Sequence, residues 1–146
     1  MTAVDGPVFN QINLVVSDMA ASTEFYERLG VAMASTFAPW DRHHRSLTMD
    51  EGLDFDLDSS TFVTQWNEGW PQGRTGPVLG FQLASNEAVD ATYNDLTSAG
   101  YVGQQRPWDG FMGARYAVVC DPDGNSVGLM GPIDPTRKTM PKPPQD

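Results

Sequence analysis

With 146 residues, 19 acidic against 9 basic side chains and a formal net charge of -10, the chain is long enough for one hydrophobic core and too short for two. That charge excludes nucleic acid and anionic membrane surfaces as partners, since both need a basic footprint. No apolar run approaches the roughly 20 residues of a membrane span, and the first ten residues, MTAVDGPVFN, have neither a basic n-region nor an apolar h-region, so a cytoplasmic protein is expected.

In chain order, residues 9–16 (FNQINLVV) alternate as a strand, with Ile12, Leu14 and Val16 on one face and Gln11, Asn13 and Val15 on the other. Ser17 or Asp18 caps a helix through Leu29, where Ala21, Phe25 and Leu29 share a four-residue spacing and Gly30 is the stop. A second strand is expected at 31–37, and two more at 44–49 and 53–58 around a turn at Glu51 and Gly52. Residues 59–76 lose periodicity and read as a long loop, the kind that in a compact domain is functional or disordered. Periodicity returns in a strand at 78–83, a helix at 86–99 with Val89, Thr92, Tyr93 and Leu96 on one stripe, and strands at 101–105, 114–120 and 125–130. Asp123 and Gly124 supply the residue types of a type I′ hairpin turn between the last two strands. A Pro-rich tail, 133–146, is expected as a surface arm or a disordered end. The single cysteine, Cys120, cannot form an internal disulfide and reads as a buried, inert thiol.

Strand, helix, three strands therefore occurs twice, at about 8–58 and 77–131, within one domain covering 1–132. Leu14, Val16 and Tyr26 correspond to Phe81, Leu83 and Tyr93 at a lag of 67, and Gly52 and Leu57 correspond to Gly124 and Leu129 at a lag of 72. The fold class is α+β: two tandem βαβββ units whose curved mixed sheets close around a cleft, with both helices outside, because each unit alone leaves one sheet face bare.

The segment INLVVSDMAASTEFYERLG at the first helix, with DPDGN before the last strand, resembles the vicinal oxygen chelate superfamily of glyoxalases, extradiol dioxygenases and antibiotic-resistance proteins. The stretch AGYVGQQRPWDGFMGARYAVVCDPDGNSVGLMGP is similar to the branch that includes mitomycin-C resistance proteins, which bind an aromatic drug without a metal. In metal-dependent members four side chains hold a divalent ion, and the resemblance maps those positions onto Gln11, Asp56, Val78 and Gly128. Valine and glycine offer no lone pair, and a tight transition-metal site wants three or four convergent N, O or S ligands. No metal and no other cofactor is expected. The resemblance also implies a homodimer.

If Gln11 and Val78 face the cleft, as the resemblance implies, parity turns Asn13, Asp54, Asp56, Asp58, Gly80, Gln82, Ser126, Gly128 and Met130 inward with them, while Leu14, Phe81 and Leu83 pack under the helices. The half lined by Val78, Gly80, Ser126 and Gly128 should be roomy and the other half acidic. All four tryptophans, Trp40, Trp66, Trp70 and Trp108, fall in expected loops or at loop ends. Aromatic faces stack planar ligands and carboxylates favour cations. The expected ligand is a planar aromatic small molecule, neutral or cationic, such as an antibiotic or metabolite, contacted by Trp108, Asp56, Asp54, Gln11, Asn13, Trp40, Phe111, Met112, Tyr116, Gly128 and Met130. The alternative is an enzyme of the glyoxalase or dioxygenase kind, or a metal-free lyase or isomerase with Asp56 as base, acting on a small metabolite. His43 and His44 read as polar residues at a strand end, and no nucleophilic triad is recognisable.

Overall fold

The computed structural model describes residues 6–145; the reading of the extreme N-terminus and the last residue of the tail lie outside them. The strands are β1 (Val8–Val16), β2 (His44–Thr48), β3 (Asp54–Ser59), β4 (Gly76–Gln82), β5 (Gly103–Asp109), β6 (Arg115–Cys120) and β7 (Ser126–Met130), and the helices are α1 (Met19–Leu29) and α2 (Asn86–Ser98). They form one mixed sheet in the order β2-β3-β1-β4-β7-β6-β5. Each unit contributes a parallel pair, β1 with β3 and β4 with β7, and the two units meet where β1 runs antiparallel to β4. In those parallel ladders Gln11 faces Asp54 and Val78 faces Ser126, so the ladders reproduce the lags of 67 and 72 seen in the sequence.

The caps are local. The Asp18 carboxylate accepts from the Ala21 N–H, and Gly30 closes α1 in the left-handed region at φ 104°, where a residue with a Cβ would be strained. Ser85 caps α2 in the same way through the Ala88 N–H. Both helices cover the same face of the sheet. Val89, Tyr93 and Leu96 of α2 pack with Leu83, Ala117, Val119 and Leu129, and Met19 and Tyr26 of α1 pack with Leu14, Phe55 and Leu57. Phe81 instead meets the Phe9 ring.

Four expectations are corrected. Residues 31–37 form no strand: Val31 and Met33 enter the core under α1, but only Ala34 bonds β2, through Ser46 O, because the chain then turns to put Thr36 and Phe37 over the cleft. The first unit therefore has one strand fewer than the second, and the sheet has seven strands rather than eight. The Ala21, Phe25, Leu29 stripe does not face the core, since Phe25 and Leu29 are exposed and Met19 and Thr23 are the buried positions. The pair of left-handed residues sits at Glu51 and Gly52, not at Asp123 and Gly124. The later turn needs only Gly124, because the Asp121 carboxylate accepts from the Asp123 and Asn125 N–H groups and organises the chain itself. Finally, Trp108 lies within β5, opposite Tyr116, rather than in a loop.

Cys120 is a free thiol, only partly buried rather than buried, and burial pushes its pKa up, which disfavours the thiolate. Among the described residues no helix is long and apolar enough to cross a membrane.

Candidate functional site: an aromatic cavity with one polar wall

The cleft face of β3 is a run of alternate aspartates, and the antiparallel partner β2 sets a polar residue opposite each one: His44 with Asp58, Ser46 with Asp56, Thr48 with Asp54. Directly opposed side chains on one face are within reach of each other. His44 Nδ1 lies 2.5 Å from Asp58 Oδ1, and Thr48 Oγ1 donates to Asp54 Oδ1 at 2.7 Å. From the other side β1 adds two amides. Gln11 Nε2 donates to Asp56 Oδ2 at 2.9 Å, and Asn13 Nδ2 donates to Asp58 Oδ2 at 2.9 Å and to Asp56 Oδ2 at 3.3 Å.

Two carboxylates this close cannot both be comfortable as anions. Burial first, and the neighbouring Asp58 charge second, push the Asp56 pKa up from the ordinary 3.8 to about 6, against bonds from Ser46 and Gln11 and the charge of His44. For His44, burial lowers the pKa, but the bond and charge of Asp58 and the charge of Asp56 outweigh it, so the ring is more basic than an ordinary histidine. Much of the aspartate charge is thus met by groups of the protein itself, and Asp56 is where an incoming donor would find an acceptor.

This wall bounds a cavity of about 400 Å³. Its other sides are Phe37, Trp40, Phe62, Trp66, Phe111 and Tyr116, with Met112 and Met130, and Lys138, Met140 and Pro141 of the tail complete the lining. The rings pack in a chain: Trp40 on Phe62 at 5.1 Å, Phe62 on Phe111 at 5.9 Å, Phe111 on Trp108 at 5.8 Å, and Trp66 on Tyr116 at 5.9 Å. Tyr116 is buried, and burial, with the Asp58 charge second, holds its phenol pKa well above the usual range, so the hydroxyl stays neutral.

Of the residues the sequence singled out, Gln11, Asn13, Trp40, Asp56, Phe111, Met112, Tyr116 and Met130 line this cavity. Three stand outside the lining. Asp54 is at the rim with Thr48, Trp108 packs behind Phe111, and Gly128 is covered, since a Cβ there would sit 2.7 Å from Tyr116 Oη. The glycine half is not roomy. Residues 59–76 fold into it around a short turn at Val63–Gln65, burying Val63, Trp66 and Trp70 against Val78 and Tyr116. Gln104 and Gln105 of β5 hold that segment, Gln104 Oε1 accepting from Asn67 Nδ2 at 2.7 Å and Gln105 Oε1 from the Glu68 N–H at 2.9 Å.

Sequence reasoning missed several contributors, Thr36 and Phe37 of the expected second strand among them. His44 could have been found by counting outward from the Glu51–Gly52 turn, which sets it opposite Asp58. Phe62 carried no periodic signal. The tail carried none either, yet it is folded back: Thr139 N–H donates to Phe111 O and Gln65 Nε2 donates to Lys142 O. His43, next in sequence to His44, is buried beside Ser59 with its Nδ1 2.8 Å from the hydroxyl.

The residues do not fit a metal at the superfamily positions. Val78 is fully buried in the aromatic cluster and Gly128 has no side chain, which leaves one amide and one carboxylate already bonded to each other. Among the described residues no three His, Cys, Asp or Glu side chains converge as a metal-holding group.

The profile of the Glyoxalase/Bleomycin resistance protein/Dioxygenase superfamily matches residues 8–129. Among solved structures the chain is similar to an NAD-dependent benzaldehyde dehydrogenase from Legionella pneumophila (24% identity, TM-score 0.57, 84% of this chain and 97% of that one). It is similar to a glyoxalase/bleomycin resistance protein/dioxygenase superfamily member from Vibrio splendidus 12B01 (16%, 0.57, 86% and 99%) and to methylmalonyl-CoA epimerase from Mycobacterium tuberculosis (18%, 0.53, 92% and 94%). At these identities the likeness is one of fold. A comparison with curated proteins finds no match. With the profile spanning most of the chain and the doubled sheet beneath it, the protein belongs to the glyoxalase/bleomycin resistance protein/dioxygenase superfamily.

Proposed function

We propose that the protein binds a planar aromatic small molecule, an antibiotic or a metabolite, in the cavity without a metal ion, with a donor or cationic edge of the ligand set against Asp56. The observation that carries this reading is the asymmetry of the cavity, aromatic on most sides and carboxylate and amide on one, with Val78 and Gly128 offering no donor at two of the four superfamily positions. A ring between Trp40, Phe62 and Phe111 is stacked at little entropic cost, and the polar wall gives it one orientation. The resemblance of residues 99–132 to the branch that includes mitomycin-C resistance proteins supports the same reading.

Tryptophan fluorescence tests it with two planar probes of one shape, 2-aminoindane and 2-indanone, against the non-aromatic cyclohexylamine. Quenching by the indanes and a much weaker response to cyclohexylamine is expected. If cyclohexylamine binds as well as 2-aminoindane, the aromatic reading is wrong. The homodimer implied by the resemblance belongs to the same proposal, and a concentration-independent monomer mass in light scattering would refute it.

A further inference from the structure

One group in the cavity wall is arranged for more than binding. The side chain of Asp58 is 1% exposed and accepts from both Asn13 Nδ2 and His44 Nδ1. A carboxylate can only accept, so the hydrogen in the His44 bond belongs to the ring, and the lone pair of the neutral imidazole is left on Nε2. The His44 side chain is 38% exposed, lines the cavity and stands edge-on to Phe62 at 5.7 Å. With the Nδ1 edge held by buried Asp58, the edge carrying Nε2 is the one a ligand meets. A buried carboxylate that fixes one tautomer of a half-exposed imidazole is the arrangement of an oriented general base.

We propose that His44, positioned by Asp58, is a catalytic base acting without a metal on a planar cyclic ketone, or a related molecule with an enolisable C–H, bound in the aromatic cavity. This rests on the ligand reading above. In the step, His44 Nε2 takes the proton from the carbon next to the carbonyl. The C–H electron pair becomes the carbon–carbon π bond, and the carbonyl π pair moves onto oxygen as an enolate. The imidazolium returns a proton to the same carbon, so no oxidant, reductant or second substrate is consumed. The phenol of Tyr116, neutral and in the same cavity, is the donor available to the oxygen as it turns negative. The charged or titratable groups facing His44 are Asp58 and Asp56 on β3, with Tyr116 and Lys138 elsewhere in the lining.

The test follows exchange of the ring CH₂ hydrogens of 2-indanone in D₂O by proton NMR, with binding measured in parallel by fluorescence. The wild type should exchange the bound probe on the order of a hundredfold or more faster than buffer, the range general acid–base groups supply. His44→Gln should fall to the buffer rate while its dissociation constant changes less than about tenfold. The wild-type rate should rise as His44 loses its proton. In Asp58→Asn, where the charge that raises the His44 pKa is gone, that rise should move to lower pH and the plateau should drop. If 2-indanone binds but exchanges at the buffer rate, or if His44→Gln exchanges like the wild type, the base assignment is overturned and the binding reading survives. If neither indane binds, the binding reading fails and takes this inference with it. Should His44→Gln not fold, the wild-type rate and the pH shift of Asp58→Asn decide the matter.

Discussion

The two halves of the cleft face carry the same strand pattern and end in opposite conditions. On the β2-β3-β1 side each inward position is polar and paired with a polar neighbour: His44 with Asp58, Ser46 with Asp56, Thr48 with Asp54. On the β4-β7-β6 side the equivalent rows read Val78, Gly80, Ser126 and Gly128, and the space those small residues leave is filled by Tyr116 and by Trp66 and Trp70 of the 59–76 segment. Small side chains on a concave sheet face therefore do not imply an open pocket. Packing favours filling them, because an apolar void forfeits dispersion contacts. The cavity remains beside the polar wall, where Asp56 and Asp58 are already buried and bonded to Gln11, Asn13 and His44.

The largest expected difference between the halves is in stability. Trp66 is 5% exposed and seated against Tyr116, so Trp66→Ala should cost about 3–5 kcal/mol in a denaturant titration. Phe37, exposed at the cavity rim, should tolerate the same change with a loss under about 1 kcal/mol. Equal losses would mean that the filled half is no better packed than the open one.

Next comes pH. A carboxyl whose folded pKa is raised stabilises the fold fully below its unfolded pKa and loses that contribution as pH rises to the folded value. Asp56, moved from 3.8 to about 6, should make the protein less stable at pH 7 than at pH 4 by at most about 3 kcal/mol. His44, also raised, adds stability present below about 6.5 that is lost above its folded pKa. Both act in the same direction. Thermal melts across pH 4 to 8 should show the decline, and Asp56→Asn should flatten its lower part. A wild-type curve that rises through this window contradicts the assigned burial of the wall.

Overfilling the closed half is a smaller perturbation. Gly128→Ala places a Cβ 2.7 Å from Tyr116 Oη and Gly80→Ala places one 2.8 Å from Gln11 Cβ, each at a cost of about 1–3 kcal/mol. They separate by function. Gly80→Ala displaces Gln11 from Asp56 and should weaken binding of 2-aminoindane more than that of 2-indanone, whereas Gly128→Ala displaces the Tyr116 phenol of the lining and should weaken both alike. Smallest of all is Trp108→Ala. Because Trp108 packs behind Phe111, the affinity for either indane should fall less than for Phe111→Ala, and the reverse order in a fluorescence titration would return Trp108 to the cavity lining.

Much of the architecture was legible because its causes are local. Asp18 and Ser85 cap helices through their own first turns, Gly30 stops one by its left-handed backbone, and strand parity, anchored on the position the resemblance gave Gln11, turned Asn13, Asp56 and Asp58 toward the cleft. The strand expected at 31–37 failed because apolar alternation there serves the core under α1 and supplies no second strand to pair with. The Phe25–Leu29 spacing misled because helical period does not say which face is inward.

The sequence by itself determined the doubled unit, its register and the aspartate row, all of which depend on residue type and on spacing within or between short segments. Only the tertiary structure decided how the cleft is occupied. Which half is filled, that Phe62 walls the cavity, that the tail returns over Phe111 and Gln65, and that His44 meets a buried carboxylate are consequences of chain segments far apart in sequence competing for one concave surface. That competition is settled by shape and by the cost of burying charge, which no single segment encodes.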